Sequence, residues 1–184
     1  SILFSNLSEV WSNPNINFQS AFISSLIVTS FSLLLIVVVS SMAGWALVRK
    51  KSKASNIVFY LFVAAMIVPF QVVMLPLVSW FRILKDWTGL PFLRSYFGMI
   101  FAYIGFGVPL SIFLYHGFVK SIPYELEEAA QIDGCNKFQT FIYIVLPILK
   151  PITITVLILN GIWIWNDFLL PLLILGKGTD LQTI

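Results

Sequence analysis

Polar side chains are rare in the apolar stretches of this sequence, but three of them recur at helical spacing near its end. Asn160, Trp163 and Asp167 follow one another at intervals of three and four residues, which places them on one face of a helix. Such a face suits a ligand that carries hydroxyl groups on an apolar ring. Alternatively, Asp167 reaches water at a helix end and Trp163 lies in an interfacial aromatic belt.

A fourth polar candidate is Gln71, which lies in another apolar stretch. Pro69 and Pro76 flank it, and a polar group beside helix breakers is typical of spans that line a cavity. A hydrogen bond to a neighbouring helix would explain Gln71 equally well. We therefore treat Gln71, Asn160, Trp163 and Asp167 as candidate residues of a solute pathway.

The sequence offers little for catalysis or metal binding. It contains a single histidine, His116, and a single cysteine, Cys135, so it supplies neither a disulfide nor a cysteine-based metal cluster. Paired carboxylates or histidine clusters within apolar stretches are also missing from the sequence. We expect no catalytic residue, no metal site and no cofactor in this chain, and therefore no enzyme.

The composition requires a solvent other than water. Of 184 residues, 59% are hydrophobic and 10% are charged, against about a quarter charged in soluble domains. The mean hydropathy is +0.93, so the natural solvent is a lipid bilayer. The formal net charge of +3 comes from scattered residues, which excludes a nucleic-acid-binding face.

Charge-free stretches predict the membrane spans, because an ionised side chain in the bilayer centre is costly. Four qualify, at about residues 22–48, 57–80, 96–119 and 151–175. Each is long enough to cross a bilayer with some tilt. Helices satisfy their own backbone hydrogen bonds in lipid, so we predict an all-α, polytopic membrane protein with at least four spans.

A compact basic run predicts the orientation. Arg49, Lys50, Lys51 and Lys53 lie between the first two spans, and such short basic loops face the cytoplasm. Counting spans from there, residues 120–150 also form a cytoplasmic loop.

This loop carries the marks of a short helix followed by a turn. Ser121 could cap the helix, Pro123 suits its first turn and Glu125 favours the positive helix end. Gly134 predicts the stop, because glycine readily takes the left-handed conformation that closes a helix. A helix of about ten residues is too short to span a bilayer.

A second helix is predicted from about Asn136 to Pro147. Its apolar face would be formed by Phe138, Phe141, Ile142, Val145 and Leu146. In the first helix, small Ala129 and Ala130 would allow a partner to approach closely, while Glu127, Glu128 and Asp133 would stay in water. An ordinary amphipathic helix at the membrane surface is the alternative.

The spacing in this loop resembles a known signature. Glu128-Ala129-Ala130, three residues, Gly134, nine residues, Ile144, one residue and Leu146-Pro147 are similar to the cytoplasmic signature of binding-protein-dependent ABC importer permeases. The flanking residues resemble the carbohydrate-uptake branch, specifically its maltose-permease-like second type of subunit. These flanks are Ile122-Pro123, Glu125-Leu126-Glu127, Asp133-Gly134, Lys150-Pro151 and Trp165-Asn166-Asp167-Phe168.

The resemblance implies the transmembrane domain of a type I ABC importer over residues 1–184. The usual first and last spans of that family have no counterpart, so the chain is expected to be a piece of a longer protein. The loop would dock on a separate ATPase subunit, with Glu128 in the ion pair and Gly134 at the bend. The docking residues would be Glu128, Ala129, Ala130, Asp133, Gly134, Ile144, Leu146 and Pro147.

The same resemblance implies the partners. They are a homologous second permease, two ATP-binding cassette subunits that carry ATP and Mg, and an extracytoplasmic solute-binding protein. The substrate would be a sugar, and the chain would be a multi-pass protein of the bacterial plasma membrane that forms half of the translocation pathway.

An ion-coupled secondary transporter or channel subunit is the rival interpretation. Such a protein needs no ATPase docking signature and usually carries ionisable residues in the middle of its spans. The predicted spans contain none there, which favours the ATP-driven importer.

Overall fold

The described part of the chain is helical throughout. The computed structural model describes Trp11 and residues 18–176, and every regular element in that part is a helix. The all-α prediction is therefore confirmed for these residues. The helices are α1 (Phe18–Arg49), α2 (Lys53–Ala65), α3 (Phe70–Thr88), α4 (Tyr96–Val119), α5 (Glu125–Ile132), α6 (Lys137–Ile148), α7 (Lys150–Asn166) and α8 (Leu169–Leu175).

Two helices, α1 and α4, are long and apolar enough to cross a membrane by themselves. Two bent pairs, α2 with α3 and α6 with α7, also qualify if each pair counts as one span. The described residues thus contain two to four candidate spans.

Two of the predicted spans contain breaks. The stretch at 57–80 falls on α2 and α3, which are separated by residues 66–69. Pro69 explains part of this break, because proline disfavours the helical conformation in the residue before it. The stretch at 151–175 falls on α7 and α8, with Asp167 and Phe168 between them.

The chain divides into two compact units. Within the described residues, unit 1 comprises 18–32, 70–103 and 163–176, and unit 2 comprises 33–69 and 104–162. Unit 2 contains the predicted cytoplasmic loop, whereas unit 1 contains Gln71, Trp163 and Asp167.

In unit 2, two polar relays join α4 to α7. The Tyr115 hydroxyl donates to Thr153 Oγ1 at 2.9 Å, and Thr153 donates to the Leu149 carbonyl. Two turns further along α7, Asn160 Nδ2 donates to Ser111 Oγ at 3.0 Å. Hydrogen bonds of this kind hold neighbouring helices together where water is absent.

Close approach of α1 and α4 in unit 2 depends on glycine. A Cβ added at Gly107 would lie 2.6 Å from Ile36 Cδ1 and 2.7 Å from Asn160 Oδ1. A Cβ at Gly44 would lie 2.7 Å from Tyr115 Cβ. The small residues therefore allow the backbones to pack more tightly than any larger side chain would permit.

Unit 1 is organised around aromatic side chains. Buried Phe81 and Phe92 have ring centroids 5.3 Å apart, and Phe101 packs against both. The Arg94 N–H donates to the Ile174 carbonyl at 2.9 Å, which attaches the loop after α3 to α8.

Candidate functional site

The turn between α5 and α6 is closed by a Schellman motif, in which a glycine in the left-handed conformation ends the helix. Gly134 has φ +90°, its N–H donates to the Gln131 carbonyl, and the Cys135 N–H donates to the Ala130 carbonyl at 3.0 Å. These two bonds satisfy carbonyls that the helix end would otherwise leave free. The prediction that Gly134 ends this helix is confirmed.

The second helix begins at once with its own cap. Asn136 Oδ1 accepts from the Gln139 N–H, and Gln139 Oε1 accepts from the Asn136 N–H, both at 2.9 Å. This capping box satisfies two backbone donors reciprocally. We call residues 125–148, which comprise α5, the turn and α6, the α5–α6 hairpin; its turn is fixed by hydrogen bonds on both sides.

The apolar face of α6 differs from the predicted one. A π-type turn at Phe141–Val145 lies within α6, and Phe141, Val145 and Leu149 are buried at intervals of four residues. Phe138, in the first turn, is 60% exposed. The expectation of one shared face was wrong: Phe141 and Val145 lie inward, whereas Phe138, Ile142 and Leu146 are exposed.

Glu127 does not stay in water, contrary to the sequence prediction. Its side chain is buried, Arg49 Nε donates to Oε1 at 2.7 Å, and Trp45 Nε1 donates to Oε2 at 3.0 Å. Both oxygens of the carboxylate are therefore occupied. Trp45 and Arg49 are four residues apart on α1, so one helix face presents both donors.

Arg49 also contacts the chain just before the hairpin. Its Nη2 donates to the Ile122 carbonyl at 3.1 Å, and its guanidinium carbon lies 5.4 Å from the centre of the Tyr124 ring. One guanidinium thus contacts both the chain just before the hairpin and Glu127 in α5, so the end of α1 holds the hairpin in place.

Ser121 does not cap α5, so that prediction was wrong. Its hydroxyl donates to the Phe118 carbonyl at 2.7 Å and so ends α4 instead. The residue before α5 is Tyr124, which makes no side-chain cap bond. The first turn of α5 is stabilised by Glu125, Glu127 and Glu128 near its positive end.

The predicted docking residues divide between an inner and an outer face. Ala130 is buried beside Glu127, and Ile144 is half-buried. The others are exposed: Glu128, Ala129, Asp133, Gly134, Leu146 and Pro147. The hairpin therefore fastens one side of α5 to α1 and leaves the other side exposed.

Within the described part of the chain, the hydrogen-bond donors to Asp167 in unit 1 are neutral. The Tyr103 hydroxyl donates to Oδ2 and the Leu169 N–H donates to Oδ1, both at 3.1 Å. Tyr103 is almost fully buried, and its ring packs edge-on against Trp163 with centroids 5.7 Å apart. Tyr103 thus connects two of the candidate pathway residues.

The space beside Asp167 is small in this conformation. The crevice that Asp167 lines with Ser25, Thr29 and Tyr103 has a volume of about 10 Å³, which is room for about one water molecule. A sugar ring does not fit there. A solute would enter this crevice only after the surrounding side chains move apart.

The two other candidate pathway residues, Asn160 and Gln71, have different surroundings from Trp163 and Asp167. Asn160 lies in unit 2, is 2% exposed, and uses its amide nitrogen to donate to Ser111 Oγ and the Val156 carbonyl. Gln71 is exposed on α3 in unit 1. The amide of Asn160 is therefore committed to helix packing, and Gln71 presents its amide at the surface.

Sequence reasoning missed three residues of these sites: Trp45, Arg49 and Tyr103. The spacing of Trp45 and Arg49 was a usable signal, because an indole and a guanidinium four residues apart face the same way. Tyr103 gave no such signal, since tyrosine is common near membrane surfaces.

The fold has a solved counterpart. A bacterial ABC transporter involved in the import of the acidic polysaccharide alginate superposes with a TM-score of 0.80 over 92% of this chain and 56% of that one, at 20% sequence identity. The chain therefore has the all-helical membrane fold of an ABC importer's transmembrane part.

The sequence places the chain in a family. Residues 36–184 match the model of the binding-protein-dependent transport system inner membrane component, and the chain belongs to that family. The resemblance found in residues 128–147 is thereby confirmed.

Two curated relatives have names that refer to the transport of sugars or starch products. The "Probable starch degradation products transport system permease protein AmyC" of Thermoanaerobacterium thermosulfurigenes is 48% identical over 163 residues, which is 89% of this chain and 57% of that protein. The melibiose/raffinose/stachyose import permease protein MelC of Bacillus subtilis is 39% identical, over 91% of this chain and 58% of its own length. The chain thus spans little more than half the length of these relatives.

Proposed function

We propose that the chain is the permease subunit of an ATP-driven carbohydrate importer in the bacterial plasma membrane. Family membership supports a transport role, and the names of the relatives point to sugars. The chain would form half of a pathway shared with a homologous second permease. Two ATP-binding cassette subunits would supply ATP and Mg, and an extracytoplasmic binding protein would deliver the sugar.

The observation that carries this proposal is the two-sided α5–α6 hairpin. Its inner side is fixed to α1 by the bonds of Glu127 with Trp45 and Arg49. Its outer side leaves Glu128 and Ala129 exposed. A rigid element of this kind can transmit movement of an attached ATPase subunit to the membrane helices, whereas a loosely held one cannot.

The outer side has the chemistry of a docking surface. Glu128 offers an exposed carboxylate for an ion pair, and Ala129 beside it lets a partner backbone approach closely. Leu126, Ile132 and Phe138 are 45%, 85% and 60% exposed, and exposed apolar side chains next to polar ones are typical of protein interfaces. The ATPase subunit would cover these side chains.

Charge reversal at Glu128 tests the docking role. We expect Glu128→Lys to reduce co-purification of the ATP-binding subunit, and ATP-dependent sugar uptake in membrane vesicles, by about tenfold or more, because interfacial like charges cost several kcal/mol. Asp86→Lys is the matched control, since Asp86 is an exposed carboxylate on α3 in unit 1. Equal association and uptake in the two variants would refute the proposal.

A glycine pair tests the geometry of the bend. Gly134 and Gly89 have φ of +90° and +73°, and a Cβ on either would meet nothing within 4 Å. Alanine at each position therefore costs a similar backbone strain of about 1–2 kcal/mol. We expect only Gly134→Ala to lower uptake per assembled transporter. Equal losses from Gly89→Ala would show that the bend has no special role.

Three of the four candidate pathway residues retain this role as part of the proposal. Trp163 and Asp167, joined through Tyr103, would contact the sugar when the small crevice beside Asp167 opens. Asn160 would act indirectly, by holding α7 against α4, and Gln71 would contact a solute from the exposed side of α3.

A further inference from the structure

A basic cavity lies in unit 2, apart from the outer face of the α5–α6 hairpin. It opens beside the loop between α1 and α2 and has a volume of about 510 Å³, within the range of small-molecule sites. Four lysines and one histidine are among the residues that line it: Lys50, Lys51, Lys53, Lys120 and His116.

Among the described residues, no acidic side chain neutralises the positive charge of this cavity. Its lining contains no aspartate or glutamate, and among the described residues the one ion pair joins Arg49 to Glu127. Lys50 also borders the cavity around Glu127, so Lys51, Lys53 and Lys120 carry most of the unbalanced charge. An anion would therefore be attracted to the cavity.

His116 supplies a buried polar group with no partner of its own. It is only 7% exposed, and its ring stacks on Phe59 with 3.7 Å between the centroids. Within the described residues its ring nitrogens have no hydrogen-bond partner, and they are not among the polar atoms sealed from solvent. Because His116 lines the cavity, its ring nitrogens are open to a ligand there.

The surroundings favour a lipid over a soluble anion. On α2, which begins at the cavity, Ile57, Tyr60 and Leu61 are 60%, 67% and 64% exposed. An apolar helix face beside a cluster of lysines suits a molecule with a charged head and an apolar tail. Basic pockets between spans on the cytoplasmic side are suited to anionic lipid headgroups.

We propose that this cavity binds the phosphate-bearing headgroup of an anionic lipid from the cytoplasmic leaflet. Lys51, Lys53 and Lys120 would neutralise the phosphate, the His116 N–H would donate to one of its oxygens, and the acyl chains would lie along α2. The inference rests on the proposed function only for the cytoplasmic position of the loop between α1 and α2.

The lysines of the loop between α1 and α2 could instead serve only as a topology signal. Substitution of His116 distinguishes lipid binding from that role. A topology signal requires only charge. His116→Phe keeps a ring beside Phe59 and removes the N–H, so it should change binding without changing orientation. Lys120→Gln is a second test at an exposed position, and Lys150→Gln is the control for a lysine outside the cavity.

The experiment measures retained lipid on the purified full transporter without ATP, by native mass spectrometry during titration with phosphatidylglycerol. We expect Lys120→Gln to weaken binding about fivefold, the effect of one lysine near an anionic surface. His116→Phe should weaken it measurably, whereas Lys150→Gln should not. Because no ATP is present, the outcome is independent of the docking test.

Three outcomes would overturn the proposal. Unchanged retention in both cavity variants would show that the cavity binds no lipid. A loss with Lys150→Gln equal to that with Lys120→Gln would indicate diffuse surface attraction. Displacement of the lipid by an excess of inorganic phosphate would assign the site to a soluble anion, whereas retention under that excess supports the lipid.

Discussion

Glu127 in unit 2 and Asp167 in unit 1 both have their carboxylates hydrogen-bonded, but the donors differ in charge. In unit 2, Glu127 is buried against a guanidinium and an indole N–H. In unit 1, Asp167 is half-buried and accepts from a tyrosine hydroxyl and a backbone N–H; among the described residues no cation contacts it. A buried carboxylate that is paired with a cation is not free to bind a ligand, whereas a carboxylate without a counter-ion remains available to one.

From this difference we infer different roles for Glu127 and Asp167. The Glu127 carboxylate is fully used inside the protein, so its role is to position the α5–α6 hairpin. The Asp167 carboxylate has no cation beside it among the described residues, and under the proposed function it would contact a solute. The following predictions test whether the contrast holds.

Removal of the cation beside Glu127 should have the largest effect on stability. Arg49→Met leaves a buried carboxylate without its counter-ion, and we expect a loss of about 3–5 kcal/mol in the free energy of unfolding. Thermal unfolding of the purified transporter checks this. The double variant Arg49→Met, Glu127→Met should recover much of the loss, because no charge then remains unpaired. If Arg49→Met leaves the free energy of unfolding unchanged, Glu127 does not depend on its counter-ion and the contrast with Asp167 fails.

Removal of the indole donor should have an intermediate effect. Trp45→Phe keeps an aromatic ring beside Phe141 and deletes the bond to Glu127 Oε2, for an expected cost of about 1.5–3 kcal/mol. Trp87→Phe is the matched control, since Trp87 is 84% exposed. The same unfolding assay compares the two, and equal shifts would mean that the indole bond contributes nothing.

Neutralisation of Asp167 should have the smallest effect on stability. Asp167→Asn preserves the shape: its amide oxygen can still accept from the Leu169 N–H, and its NH2 group can donate to the Tyr103 hydroxyl, so we expect a change within about 1 kcal/mol. Sugar uptake should nevertheless fall about tenfold, the equivalent of 1.4 kcal/mol in transition-state binding. Normal uptake would return Asp167 to a structural role at the break between α7 and α8.

The sequence predicted local features better than distant ones. Gly134 was predictable because its conformation depends only on the residues beside it. The partner of Glu127 was not, because Arg49 lies 78 positions earlier and the adjacent Glu125 and Glu128 gave no sign of which carboxylate faces inward.

The same limit applies to the predicted pathway face. Helical spacing placed Asn160 with Trp163 and Asp167, but Ser111, 49 positions away, holds the amide of Asn160 in the packing of unit 2. Hydropathy likewise located apolar stretches without showing the break of 66–69 inside one of them. Fold class and family followed from composition and a spaced signature, whereas side-chain partners required the folded chain.

Cross-linking from the outer side of α5 tests the central claim most directly. Ala129 is exposed and Cys135 is the single cysteine of residues 1–184, so an Ala129→Cys, Cys135→Ser variant, with any cysteine outside these residues replaced by serine, carries one reporter thiol on the surface proposed to dock. In inside-out vesicles of the full transporter, a short thiol cross-linker should join this residue to the ATP-binding subunit. Labelling of that thiol from the extracytoplasmic side, or no cross-link in a transporter that still imports sugar, would contradict the account.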